Sequence, residues 1–117
     1  MTRRPDWAGR LAALLSAAET RPFDAHRWHC ARFTLAAVEA MTGERPAVRV
    51  LPDLADSADS AGFPRVPPLR ARMGDIVLAP GPDRLGVVLD AGRAAFVGPR
   101  GLVRAPITLC TTAWRIG

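Results

Sequence analysis

The sequence predicts an α+β domain, with two N-terminal helices packed on a C-terminal antiparallel sheet of about five strands. Three observations lead there. Apolar residues recur at helical spacing as far as Thr42. From Gly74 onward, short β-type runs alternate with Gly- and Pro-rich turns. The change of pattern happens once, which segregates helices from strands instead of alternating them. With 117 residues, 49% of them hydrophobic, the chain 1–117 forms one domain whose core needs neither metal nor disulfide.

Pro5 and Asp6 open the first helix, with Asp6 as a cap or first-turn acid. Trp7, Leu11, Leu14, Leu15 and Ala18 then form one apolar stripe that ends near Thr20. Residues 22–29 are a short polar and aromatic loop. A second helix runs from about Cys30 to Thr42, with Gly43 placed to cap it. Its apolar face is Cys30, Phe33, Ala37, Val38 and Met41.

Residues 44–72 form an irregular, Pro-rich segment. Pro46, Pro52, Pro64, Pro67 and Pro68, with Asp53, Asp56 and Asp59, break any long element. A structureless loop of that length is uncommon in a compact domain. One short helix from Pro52 or Asp53 to Ala61, stopped by Gly62, is therefore expected, and the segment is a candidate contact surface.

The strands begin with Asp75–Ala79, turn through Pro80-Gly81-Pro82-Asp83, and continue with Leu85–Leu89. A turn at Asp90-Ala91-Gly92 leads to Ala94–Val97, and Gly98-Pro99-Arg100-Gly101 makes a second tight turn. Leu102–Arg104 and Ala113–Ile116 complete the meander.

Composition narrows the function. The net charge is +5 and all 16 basic residues are Arg; Lys, Tyr, Asn and Gln are absent. The arginines are scattered singly, without the basic stripe or spaced aromatics of a nucleic-acid module, so no nucleic-acid partner is expected. Arg3, Arg4 and Arg10 ahead of Leu11–Ala18 imitate a short secretory leader, but Asp6 and Ser16 interrupt it and an amphipathic helix fits better. No stretch is long enough to span a membrane.

Chemistry is concentrated in His26-Arg27-Trp28-His29-Cys30-Ala31-Arg32-Phe33, which holds both histidines and one of the two cysteines. Cys30 stands at a helix start, where the positive end of the helix dipole and free N–H groups favour a thiolate. The same N–H groups suit an oxyanion. His29 and His26 are the candidate bases. A metal site from His26, His29 and Cys30 has donors of the right kind but no fourth ligand nearby, and Cys110 is distant in sequence. No metal and no cofactor are expected. The plain alternative is a small core cysteine beside two exposed loop histidines.

A helix-borne cysteine followed by an antiparallel sheet resembles the papain-like thiol hydrolases, and more closely the NlpC-type cell-wall peptidases in a small, phage-encoded branch. The matching residues are Pro22-Phe23, Cys30 with Phe33, Met41-Thr42-Gly43, Gly74–Leu78, Leu85-Gly86-Val87 and Ala113–Ile116. They skip residues 44–72. The resemblance implies a cysteine nucleophile, a histidine base on the next strand but one after it, namely the strand carrying Leu85-Gly86-Val87, and a polar orienting residue on the strand after that. It implies cleavage of amide bonds in peptidoglycan stem peptides. It also implies a place at the tip of a phage or phage-like tail, with other tail or baseplate proteins as partners and synthesis in the bacterial cytoplasm without a signal peptide.

Several positions depart from that pattern. His29 replaces the acidic residue expected before the cysteine, and Trp28 is shifted towards it. Arg84 stands where the histidine base is expected, and an arginine cannot accept a proton at neutral pH. Ala94–Val97 offers no polar side chain, and no His, Asn or Gln follows residue 30. Three readings follow: a degenerate peptidase domain serving in assembly or cell-wall binding, an active thiol hydrolase with Cys30 as nucleophile and His29 or His26 as base, and the metal site. In either of the first two, Trp28 and Arg84 are the candidate substrate contacts.

Overall fold

In the computed structural model, which describes residues 1–90 and 92–117, the two apolar stripes become two helices that pack on each other and on a sheet. Helix α1 spans Trp7–Ala18 and buries Leu11 and Ala18, with Trp7, Leu14 and Leu15 packed beside them. Asp6 makes no side-chain cap; its carboxylate instead accepts from Arg10 Nε at 2.8 Å, one turn on. Helix α2 spans Cys30–Thr42 and buries Phe33, Ala37, Val38 and Met41, the expected face. Thr34 and Thr42 are buried too, which is tolerable because each hydroxyl donates to a carbonyl one turn back, Cys30 O at 2.9 Å and Val38 O at 2.8 Å. Gly43 ends α2 at φ 75°, and its N–H donates to Glu39 O at 2.8 Å. That left-handed conformation is what favours glycine here; a side chain at 43 would also displace the Arg4 guanidinium.

The segment 44–72 is more ordered than its prolines suggest. It contains α3 (Leu54–Asp59), capped by the Asp53 carboxylate, which accepts from Asp56 N–H at 3.1 Å. It also contributes a strand absent from the sequence reading, β1 (Arg65–Val66), and a single 3₁₀ turn at Pro68–Arg70. The sheet therefore has six strands: β1, β2 (Ile76–Ala79), β3 (Arg84–Val88), β4 (Arg93–Gly98), β5 (Gly101–Pro106) and β6 (Thr112–Trp114). Their order is β1-β6-β2-β3-β4-β5 and every pairing is antiparallel. The expected turn at Asp90–Gly92 includes Ala91, which lies outside the described residues.

Period-two alternation sorts the sheet into two faces. Ile76, Leu78, Leu85, Val87, Ala95 and Trp114 face the helices. Val77, Ala79, Val88, Ala94, Phe96 and Ala113 face the other way. There they are covered by the β5–β6 connection, whose 3₁₀ turn Ile107–Leu109 supplies buried Ile107. Burial on both faces explains why β2 reads as an unbroken apolar run, Ile-Val-Leu-Ala, instead of alternating with polar residues.

Asp75, immediately before β2, is fully buried and collects four hydrogen bonds. Its carboxylate accepts from Arg3 at 3.1 Å, Arg115 at 3.1 Å, Arg72 N–H at 2.8 Å and Ile116 N–H at 3.0 Å. Arg3 also donates to Ile116 O at 2.7 Å and Met73 O at 2.7 Å. One carboxylate thus ties the N-terminal arm, the entry to β2 and the C-terminal strand together. Burial lowers the Arg3 pKa, and the Asp75 charge beside it works against that shift.

Candidate active site

The loop 22–29 and the start of α2 sit at the end of the sheet opposite Asp75. Phe23 N–H donates to Gly98 O at 2.9 Å, and Leu102 N–H donates to Glu19 O at 3.1 Å. These bonds dock the α1–α2 connection onto the β4–β5 hairpin. Glu19 and Arg104 reinforce it with two bonds of 2.9 and 2.7 Å, and the guanidinium holds the Glu19 carboxyl below its ordinary range. Gly101, at φ 132°, lies so close to the Glu19 carbonyl that a side chain there would collide with it. Inside the loop, Asp24 accepts from the N–H groups of His26 at 2.8 Å and Arg27 at 3.0 Å, and it pairs through its backbone with Trp28. The loop is therefore shaped by an Asx turn and a short bridge.

Cys30 is half-buried in the first turn of α2, packed against the helix-side core. The first intrahelical bond ahead of it is Phe33 N–H to His29 O at 3.0 Å, so the N–H groups of Cys30 and Ala31 lie before the ladder begins. His29 is the N-cap: its Nδ1 accepts from Arg32 N–H at 3.4 Å. In that pose the Nδ1 side of the ring faces the first turn of the helix. His26 is exposed, and its backbone, not its ring, is what Asp24 holds. Among the described residues no hydrogen bond joins either imidazole to the Cys30 sulfur.

The candidate substrate contacts, Trp28 and Arg84, pack against opposite faces of the sheet. Trp28 is only 6% exposed; its ring meets Phe33 at 5.8 Å between centroids, and the Arg21 guanidinium covers it at 4.1 Å. Its indole N–H is buried without a partner among the described residues. Arg84 opens β3 at the same end of the sheet as Gly98, continuing the register Val87 to Ala95. Its guanidinium, however, lies 5.3 Å from the Phe96 ring centre, on the face away from α2. Cys110 packs on that same face, where burial raises its pKa and the Arg84 charge opposes the rise. Cys30 and Cys110 are thus free thiols on opposite faces of the sheet. That separation removes Cys110 as a fourth metal ligand, and among the described residues no three His, Cys, Asp or Glu side chains converge on a metal position.

A family model described as a domain of unknown function (DUF6950) matches residues 2–62 and 49–116, and the chain belongs to that family. No curated protein matches it in sequence. Among solved structures, the chain is similar to the crystal structure of the NlpC/p60 domain of the peptidoglycan hydrolase SagA. The likeness covers 92% of this chain and 97% of that one, with a TM-score of 0.66 and 15% sequence identity. At that identity the shared property is the fold: N-terminal helices on a C-terminal antiparallel sheet. No helix among the described residues is long and apolar enough to cross a membrane.

Proposed function

We propose that this NlpC-type domain binds peptidoglycan without cleaving it, as a degenerate hydrolase serving in assembly or cell-wall attachment. Arg84 carries the reading. The strand position for which the family resemblance requires a proton acceptor holds a guanidinium lying over Phe96, turned from the helix that bears Cys30. The His29 cap supports it, because its Nδ1 accepts from Arg32 N–H at 3.4 Å while no hydrogen bond among the described residues joins the ring to the Cys30 sulfur. The proposal extends to location: a phage or phage-like tail tip, with other tail or baseplate proteins as partners, as the sequence resemblance suggests.

A second reading keeps Cys30 as an active nucleophile with His26 or His29 as base. It is favoured by the half-exposed thiol at a thirteen-residue helix start and by the exposed His26 ring one short loop away. One experiment separates the two. Purified peptidoglycan is incubated with the wild type and with Cys30→Ser, then both pelleting and soluble stem-peptide fragments are measured. Binding predicts equal pelleting and no fragments from either protein. Fragments released by the wild type and lost in Cys30→Ser would overturn it.

A further inference from the structure

Between α2 and the 46–63 segment lies a pocket of about 80 Å³. Leu35 and Val38 of α2 line one side, Leu54 and Ala58 of α3 another, and Ile76 and Trp114 of the sheet the base. No charged residue lines it. The three side chains with polar atoms there are already satisfied within the chain. Thr34 Oγ1 donates to Cys30 O at 2.9 Å. Ser57 Oγ accepts from Leu51 N–H at 2.8 Å and donates to Leu51 O at 3.2 Å. Trp114 Nε1 donates to Asp59 Oδ1 at 2.8 Å.

Polar ties explain why the gap stays open. Arg49 N–H donates to Ser60 Oγ at 2.8 Å, Ser57 holds Leu51, and Asp59 is gripped by Arg65 through bonds of 2.9 and 2.6 Å. These contacts fix α3 from its outer side and ends, and none of its six residues is fully buried. The helix is held by these hydrogen bonds together with the partly buried Leu54, Ala55 and Ala58, which pack against the edge of the helix-side core. Water gains little inside, because it needs two or more polar partners and the walls offer none that is unused. An apolar group gains the dispersion contacts that the walls now lack.

We propose that this pocket is a binding site for a short, uncharged aliphatic chain carried by a ligand. Its volume is roughly half the ~150 Å³ of an engineered cavity that accepts benzene, which favours a few methylenes over a ring. The site stands apart from the reading of Cys30: no residue of 26–30 lines it.

The full chain is titrated with straight-chain alcohols from ethanol to octanol, and the methyl NMR signals of Leu35, Val38 and Ile76 are followed. Saturable shifts confined to the lining are expected. Affinity should rise about fourfold per added methylene and level off once the pocket is full, at on the order of four to six carbons. Ala58→Leu fills the pocket from α3 and should weaken binding at least tenfold with no loss of melting temperature. Val38→Phe fills it from α2 and gives the same reading should the first variant fold poorly. Shifts spread over the surface, affinity rising without a plateau, or binding unchanged in a folded filled variant would overturn the site. Concentration-dependent shifts of the same methyls without alcohol would overturn it also, by assigning the pocket to a second copy of the chain.

Discussion

The two ends of the sheet are built to different standards. At the Asp75 end, a fully buried carboxylate has four donors, two of them arginines from opposite ends of the chain. At the Cys30 end, the reactive groups have few partners: one cap bond of 3.4 Å, a half-exposed thiol and a buried indole N–H with none among the described residues. α2 links the two, because its C-terminus reaches the Arg3–Arg4 arm, where Arg4 N–H donates to Met41 O at 2.8 Å. A fold can keep unsatisfied groups at one end when the other end supplies the cooperativity.

The largest expected effect breaks the tied end. Asp75→Ala leaves the Arg3 and Arg115 charges without their shared partner and frees two backbone N–H groups, so it should cost about 3–5 kcal/mol. Denaturant unfolding would register this as a midpoint shift that removes a large part of a small domain's stability. A loss below about 1 kcal/mol would mean the termini are held by packing alone.

A smaller effect sharpens the open end. His29→Asp places a better cap acceptor before α2 and adds a charge that the helix dipole favours. It should therefore stabilise the fold by a few tenths to about 1 kcal/mol, read as a higher melting temperature. The same variant should slow thiol labelling of Cys30, since an adjacent carboxylate disfavours thiolate. Unchanged labelling would show that position 29 does not address the sulfur.

The smallest effect separates buried from exposed carboxylates within the tied half. Asp59 is held below its ordinary pKa by bonds from Arg65 first and Trp114 second. A depressed folded pKa means stabilisation that is present above the ordinary carboxylate range and lost as pH falls through the folded value. Below about pH 4 the wild type should lose slightly more stability than Asp59→Asn, by a margin kept small by solvent screening. Equal acid profiles for the two proteins would remove Asp59 from the account.

Local pattern carried the helices and most strands. The stripes of α1 and α2, the Gly43 cap and the Gly98–Gly101 turn are all decided within a few residues by periodicity and backbone stereochemistry, so they are legible in one dimension. β1 was not: two residues between prolines have no alternation to read, and Arg65–Val66 becomes a strand only because β6 lies alongside. Asp75 shows the same limit. A carboxylate directly before an all-apolar strand was the available signal, but its partners are 72 and 40 residues away. At the candidate site, the helix-start cysteine and the arginine in place of a base could both be read directly. The burial of Trp28 beneath Arg21 and the turning of Arg84 onto Phe96 could not, because each depends on which face a neighbouring element covers.

By itself, then, the sequence determined the class of fold, the one stretch where thiol and imidazole occur together, and the lack of any later His, Asn or Gln. Tertiary structure alone decided that His29 turns its ring nitrogen to the backbone, that Cys110 lies across the sheet from Cys30, and that α3 stands off α2 to leave an apolar pocket. The physical reason is range. Caps, turns and stripes are energies between near neighbours in sequence, whereas side-chain partnership is settled by which distant surfaces the folded core brings within a few ångströms.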